Sequence, residues 1–91
     1  MVTSSIATEN TLRTRALELT IAGAPPVKTD FVYYTVTGLA IRYENTVVTG
    51  LYIIGIAEDT GEAERITVRL DLYDMWLPWV RDLVEKHRPT A

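Results

Sequence analysis

The sequence predicts an α+β fold: an antiparallel four-stranded β-meander with one C-terminal α-helix packed across one face. Three observations carry this reading. Apolar and polar residues alternate with period 2 in several segments, the mark of half-buried strands. Short polar connections holding Gly, Asn or Asp separate those segments. Only the C-terminal stretch changes to the 3.6-residue period of an amphipathic helix.

Residues 1–11 are rich in Ser and Thr and lack periodicity, so they are expected as a flexible N-terminal arm. Residues 12–91 form the single ββββα domain. Leu17, Leu19 and Ile21 alternate with Ala16, Glu18 and Thr20, which is strand spacing. The following "GAPPVKTD" breaks the chain, because Pro25 and Pro26 cannot donate to a ladder. Residues 31–43 and 46–57 are dense in Val, Ile, Tyr, Phe and Thr, which suit a pleated surface. "YENTV" between them and "EDTGE" after them read as hairpin connections. A last strand, 66–72, sets Ile66, Val68, Leu70 and Leu72 against Thr67, Arg69 and Asp71.

Loop length then sets the expected register. A three-residue loop Asp59-Thr60-Gly61, with Gly61 at the position that takes positive φ, pairs Ile54 with Ile66. A three-residue loop at Glu44 to Thr46 pairs Val36 with Ile54. Opposed residues share a face. Both choices therefore gather the even-numbered Val32, Tyr34, Val36, Tyr52, Ile54, Ile56, Ile66, Val68, Leu70 and Leu72 on one apolar face, which the helix is expected to cover. A bulge near Gly38 is the feature that shifts one end of this pattern.

In the helix, Leu72, Trp76, Leu77, Trp79, Val80, Leu83, Val84 and His87 share one side. Asp74 is the expected N-cap, Pro78 suits the first turn and Pro89 stops the helix. Trp76 and Trp79 read as core, with Trp79 at the edge of the stripe.

Composition narrows the function. Ninety-one residues make one domain, and 47% apolar with 23% charged residues is an ordinary globular balance. No apolar run is long enough to span a bilayer, "MVTSSIATEN" lacks the features of a signal peptide, and there is no cysteine. The expectation is a cytoplasmic protein with no membrane partner. A net charge of −3 without a basic stripe disfavours nucleic acid. Gly50 and Gly55 lack the Lys-Ser/Thr that follows a phosphate loop, and His87 is the lone histidine, so no cofactor, metal or catalytic residue is assigned. Asp59-Thr60-Gly61 resembles the D-T-G tripeptide of the retroviral-type aspartic proteases. The resemblance covers three residues, and Glu58, Glu62 and Glu64 crowd it with charge. The tripeptide therefore reads as a polar turn.

The odd-numbered face is the expected partner-binding surface: Tyr33, Thr37, Leu39 and Ile41, then Thr49, Leu51 and Ile53, then Arg65, Thr67 and Arg69, with Trp79 beside it. An apolar centre rimmed by Thr, Tyr and Arg is typical of interaction surfaces. The bland alternative is that the first strand or the arm folds over it. The leading function is a small non-enzymatic protein-interaction module: an adaptor, regulator or inhibitor of a larger protein of unknown identity, homodimeric through this face or its edge strand. The alternatives are single-stranded nucleic-acid binding on the same face, with Tyr33 stacking and Arg65 and Arg69 on phosphates, and a small-molecule pocket between helix and sheet lined by Trp79, Tyr34 and Tyr52.

Overall fold

The computed structural model describes residues 2–90, with the side chain of Trp76 outside the description. Its elements are β1 Val2–Asn10, β2 Thr14–Ala22, β3 Val27–Thr29, β4 Val32–Glu44, β5 Val47–Ala57, β6 Ala63–Thr67, α1 Tyr73–Trp76 and α2 Pro78–His87. All strand pairs are antiparallel, in the order β1-β2-β4-β5-β6. β4 is long enough to take two neighbours on one edge, β2 along Gly38–Glu44 and β3 along Val32–Tyr34. The sheet-plus-helix class is as the sequence predicts, with more strands. The additions are β1, in the segment expected as an arm, and β3, which closes on β4 through the two-residue turn Asp30-Phe31.

Register departs from the expected one at both turns. Asn45 has φ 56°, and the two-residue turn Asn45-Thr46 pairs Glu44 with Val47. The Gly61 loop holds four residues, Glu58 to Gly61: Gly61, at φ 72°, donates its N–H to the Ala57 carbonyl, and Ala57 donates to Glu62. Ile66 therefore faces Ile53 instead of Ile54. One step of slip exchanges the two faces of a strand.

Three bulges complete the pattern, each with a threonine as the extra residue: Thr8 in β1, Thr37 in β4 and Thr49 in β5. Each hydroxyl donates to a carbonyl of the opposing strand, Thr8 to Ala16 (3.2 Å), Thr37 to Ile54 (3.2 Å) and Thr49 to Arg42 (3.4 Å). A bulge leaves ladder groups unpaired, and a short hydroxyl side chain is placed to satisfy one of them. The Thr37 bulge also changes parity along β4. Val36 on its N-terminal side and Leu39, Ile41 and Tyr43 on the other all face the core. Gly38, beside it, passes so close to β2 that a Cβ there would lie 3.0 Å from the Leu19 carbonyl oxygen.

The core lies between this face and α2. Leu17, Leu19, Ile21, Leu39, Ile41, Leu51 and Ile53 pack with Val80, Leu83 and Val84 of the helix. Burying each Leu, Ile or Val contributes about 1.5–3 kcal/mol relative to exposure. The even-numbered face expected beneath the helix is divided. Tyr34, Val36, Ile66 and Val68 are on the helix side, while Tyr52, Ile54 and Ile56 lie on the opposite, outer face.

The helix itself is broken at Leu77, whose φ −131° and ψ 79° separate α1 from α2. Proline disfavours helical geometry in the residue before it and lacks an N–H. Leu77, with Pro78 next, is the N-cap, correcting the expected Asp74, which sits in the first turn of α1. Strand β6 ends at Thr67, and the chain turns over Leu70–Leu72 into α1, so the expected strand 66–72 is cut short. Trp79 is half-buried against the core; Trp76, expected in the core, lies outside the described side chains. At the far end, Tyr43 donates its hydroxyl to the Val84 carbonyl at 2.6 Å, and Arg88 donates from Nη1 to the Thr46 carbonyl at 2.6 Å. Both bonds hold the C-terminal end of α2 against the β4–β5 hairpin.

Candidate interaction surface

The residues expected to form one partner-binding surface are distributed over both sides of the sheet. Leu39, Ile41, Leu51 and Ile53 are at most 1% exposed and lie beneath α2, so the face expected to be open is the covered one. These four share a face in the expected register too; the four-residue Gly61 loop and the Thr37 bulge add Ile66, Val68, Tyr34 and Val36 to that same face, and it is this enlarged apolar face that α2 covers. Thr37 and Thr49 are bulge residues whose hydroxyls bond to the neighbouring strand. Arg69 lies past the end of β6 in a two-pronged ion pair with Asp71, which draws the Asp71 carboxyl below its ordinary value. Tyr33, Arg65 and Thr67 do share a face, the outer one, and Trp79 is across the sheet from them.

The outer face carries no helix among the described residues. The row Ile6, Glu18, Ala40, Tyr52 and Thr67 crosses it from β1 to β6, next to the row Ser4, Thr20, Gly38, Ile54 and Arg65. Its centre is built of small residues flanked by Tyr52 and Ile54. Two of its rings already carry the chain's own cations: Arg65 lies 5.5 Å from the Tyr52 ring centroid and Lys28 5.3 Å from that of Tyr33. A base stacking on either ring from that side has to displace a cation. Asp59 is exposed in the Gly61 turn, consistent with the turn reading of that tripeptide.

The two edges of the sheet differ in kind. Strand β6 spans five residues and carries Glu64 and Arg65 at its middle, and charge on a short strand discourages further pairing. Strand β1 spans nine residues without proline or lysine, and Val2–Thr8 carries no charge. It pairs with β2 on one side only, and its side chains stand in solvent on both faces, with Val2 72% and Ile6 68% exposed. Glu9, where the charge begins, lies past the Thr8 bulge and is bound at 2.8 Å by Arg42.

The signal for β1 was present in the sequence but faint. Val2, Thr3, Ile6 and Thr8 are β-branched and neither Gly nor Pro interrupts them. Its turn into β2 uses no glycine: the Thr11 hydroxyl accepts the Thr14 N–H at 2.9 Å, and the Thr11 N–H reaches the Thr14 carbonyl at 2.8 Å. No family model, no curated protein and no solved structure matches this chain.

Proposed function

We propose that the chain is a non-enzymatic protein-interaction module, an adaptor, regulator or inhibitor of a larger protein, and that it works as a homodimer joined edge to edge through β1. The observation that carries the reading is the state of that edge: nine residues long, uncharged from Val2 to Thr8, and unpaired on its outer side among the described residues. Such an edge exposes a row of backbone donors and acceptors and recruits another strand.

A second copy suits this edge in one register above others. Antiparallel pairing about a two-fold axis at Ser4 sets Val2 opposite the partner's Ile6 and Ile6 opposite the partner's Val2, on the outer face. Thr3 and Ser5 then face each other on the other side. Two apolar cross-strand pairs form, each worth about 0.2–1 kcal/mol, and no like charges meet. Pairing about Ser5 would set Ile6 against Ser4 and Val2 against Thr8, losing both pairs. The outer faces of the two copies join into one broad sheet surface, which is where a larger partner would dock.

Solution mass by light scattering tests the reading. The parent is expected at twice the mass of one chain. Ser4→Lys places two ammonium groups opposite each other across the axis and is expected to give a folded monomer. Thr20→Lys, on the same face but one strand inward, is expected to remain a dimer. A parent that is monomeric at every concentration, or a Ser4→Lys variant that stays dimeric, overturns the edge-to-edge assembly.

A further inference from the structure

We propose that the end of the sheet formed by the Asp30-Phe31 turn and the Gly61 loop docks a basic amphipathic segment of a partner protein, its apolar side chains flanked by lysine or arginine. The inference rests on the interaction-module reading and names the chemistry of the larger partner; it does not need the β1 dimer. The two turns lie side by side: β3 closes on β4 at Thr29 and Val32, and the Glu58 N–H donates to the Tyr33 carbonyl at 2.9 Å.

The anchor is apolar. Two-residue hairpin turns favour Gly, Asn and Asp, yet Phe31 takes one of these places and stands 95% exposed. Folding gains almost nothing from that ring. Tyr33 and Ile56 follow on the outer face, 48% and 38% exposed. A lone exposed apolar side chain is ordinary, but an aromatic anchor beside further apolar surface is where binding energy concentrates. The patch spans two adjacent strands at one end of the domain, so it suits a short segment better than a broad interface.

Charge around the patch selects the partner. Asp30, Glu58 and Asp59 stand in the turns and Glu62 and Glu64 follow, all exposed and none in an ion pair among the described residues. Over residues 28–35 and 56–64 they meet the single cation Lys28, so this end is more negative than the −3 of the whole chain. Lys28 rests 5.3 Å from the Tyr33 ring, a place that a partner's guanidinium can take in exchange. A polycation without apolar side chains gains only a screened attraction here, and an acidic amphipathic segment meets like charge. The cleft beside α1 is a different place: Trp79, Tyr34 and Tyr52, expected to line a pocket between helix and sheet, are not among its lining residues.

Fluorescence anisotropy with a labelled amphipathic peptide of Leu and Lys, its Leu and Glu counterpart, and an oligolysine of equal length tests the site on the full chain. The Leu/Lys peptide is expected to bind saturably at one site per chain, with the other two weaker by about tenfold or more. Phe31→Ser is expected to weaken it by at least about tenfold. Asp30→Lys combined with Glu58→Lys is expected to reverse the preference toward the Leu/Glu peptide, while Glu18→Lys, elsewhere on the outer face, changes affinity by less than about twofold. Circular dichroism checks each fold, and should the double variant not fold, Phe31→Ser decides. Ser4→Lys is expected to bind as the parent does. Saturable binding by a parent that proves monomeric sustains this proposal and removes only the edge-to-edge assembly. Absence of saturable binding, equal affinity for oligolysine, an unchanged Phe31→Ser variant, or a Glu18→Lys loss as large as that of the turn pair overturns the proposal.

Discussion

Tyr43→Phe removes a single buried oxygen where the end of α2 meets the β4–β5 hairpin, and its cost follows from the partner it leaves behind. The ring is fully buried and keeps its packing in the variant. What disappears is the 2.6 Å hydrogen bond to the Val84 carbonyl. That carbonyl lies in the last turn of α2, where helix carbonyls lack ordinary partners. The N–H four residues on, that of Arg88, points to Glu85 instead. A buried acceptor left without a donor costs about 1–3 kcal/mol. In a domain of this size each kcal/mol is worth roughly 4–8 °C of melting temperature. Urea unfolding followed by circular dichroism reads the difference, with an unchanged m-value as the sign that compactness is preserved. A pH series gives a second readout. Burial, ahead of the nearby charges, pushes the Tyr43 phenol up from 10.0 to about 12. The folded state thus holds this proton more tightly than the unfolded chain does. The resulting stability is fully present below pH 10 and is lost as pH rises toward about 12, in the parent only. The gap between parent and Tyr43→Phe should therefore narrow over that range. A loss under about 0.5 kcal/mol at neutral pH, or a gap that stays constant through the alkaline series, would refute the reasoning.

The remaining predictions concern the bulges, the helix end and the acid limb. Gly38→Ala brings a Cβ to 3.0 Å from the Leu19 backbone oxygen, and neither backbone can yield freely; a loss of about 1–3 kcal/mol is expected in urea unfolding. Thr37→Val keeps the shape and deletes the hydroxyl that donates to Ile54, for a loss of about 0.5–1.5 kcal/mol by the same assay. His87 has a buried Nε2 without a hydrogen-bond partner among the described residues, and desolvation, then Lys86 and Arg15, pull its pKa below 6.5. Protonation therefore favours the unfolded chain: the contribution is intact above pH 6.5 and falls away as pH drops through the lowered folded value. His87→Leu should flatten that part of the stability–pH curve, and an unchanged acid limb would count against the assignment.

Legibility divided along physical lines. The class of fold, the strands around Leu17–Ile21, Val36–Ile41 and Leu51–Ile53, and the covering helix all follow from periodicity, which burial enforces directly. Register did not, because it depends on single-residue differences in loops. One extra residue in the Gly61 loop and one fewer at Asn45 are enough to exchange faces, and bulges at Thr37 and Thr49 change the count again within the strands. Gly38 was a warning of the first bulge, since a glycine in a strand marks close approach of backbone or a local kink. The expected interaction surface fails on a different point, the choice of the covered face: Leu39, Ile41, Leu51 and Ile53 share a face as expected, and they are apolar because that face is the core. Strand β1 is faint in the sequence for the opposite reason. It buries almost nothing, so it carries little apolar signal, and only its β-branched residues and lack of breakers mark it. The break at Leu77 was legible in Pro78, whose effect falls on the residue before it.

The most direct test of the β1 edge uses the fact that the chain has no cysteine. Ser4→Cys introduces one thiol per chain, placed opposite its own copy in the two-fold pairing, with Cβ atoms about 4.5–5.5 Å apart and near disulfide reach. Val2→Cys is the control, its two thiols separated by four residues of strand, about 13 Å. Under mild oxidation the account predicts a covalent dimer on a non-reducing gel for Ser4→Cys and a monomer band for Val2→Cys. A Ser4→Cys chain that stays monomeric, or a Val2→Cys chain that cross-links equally well, would contradict it.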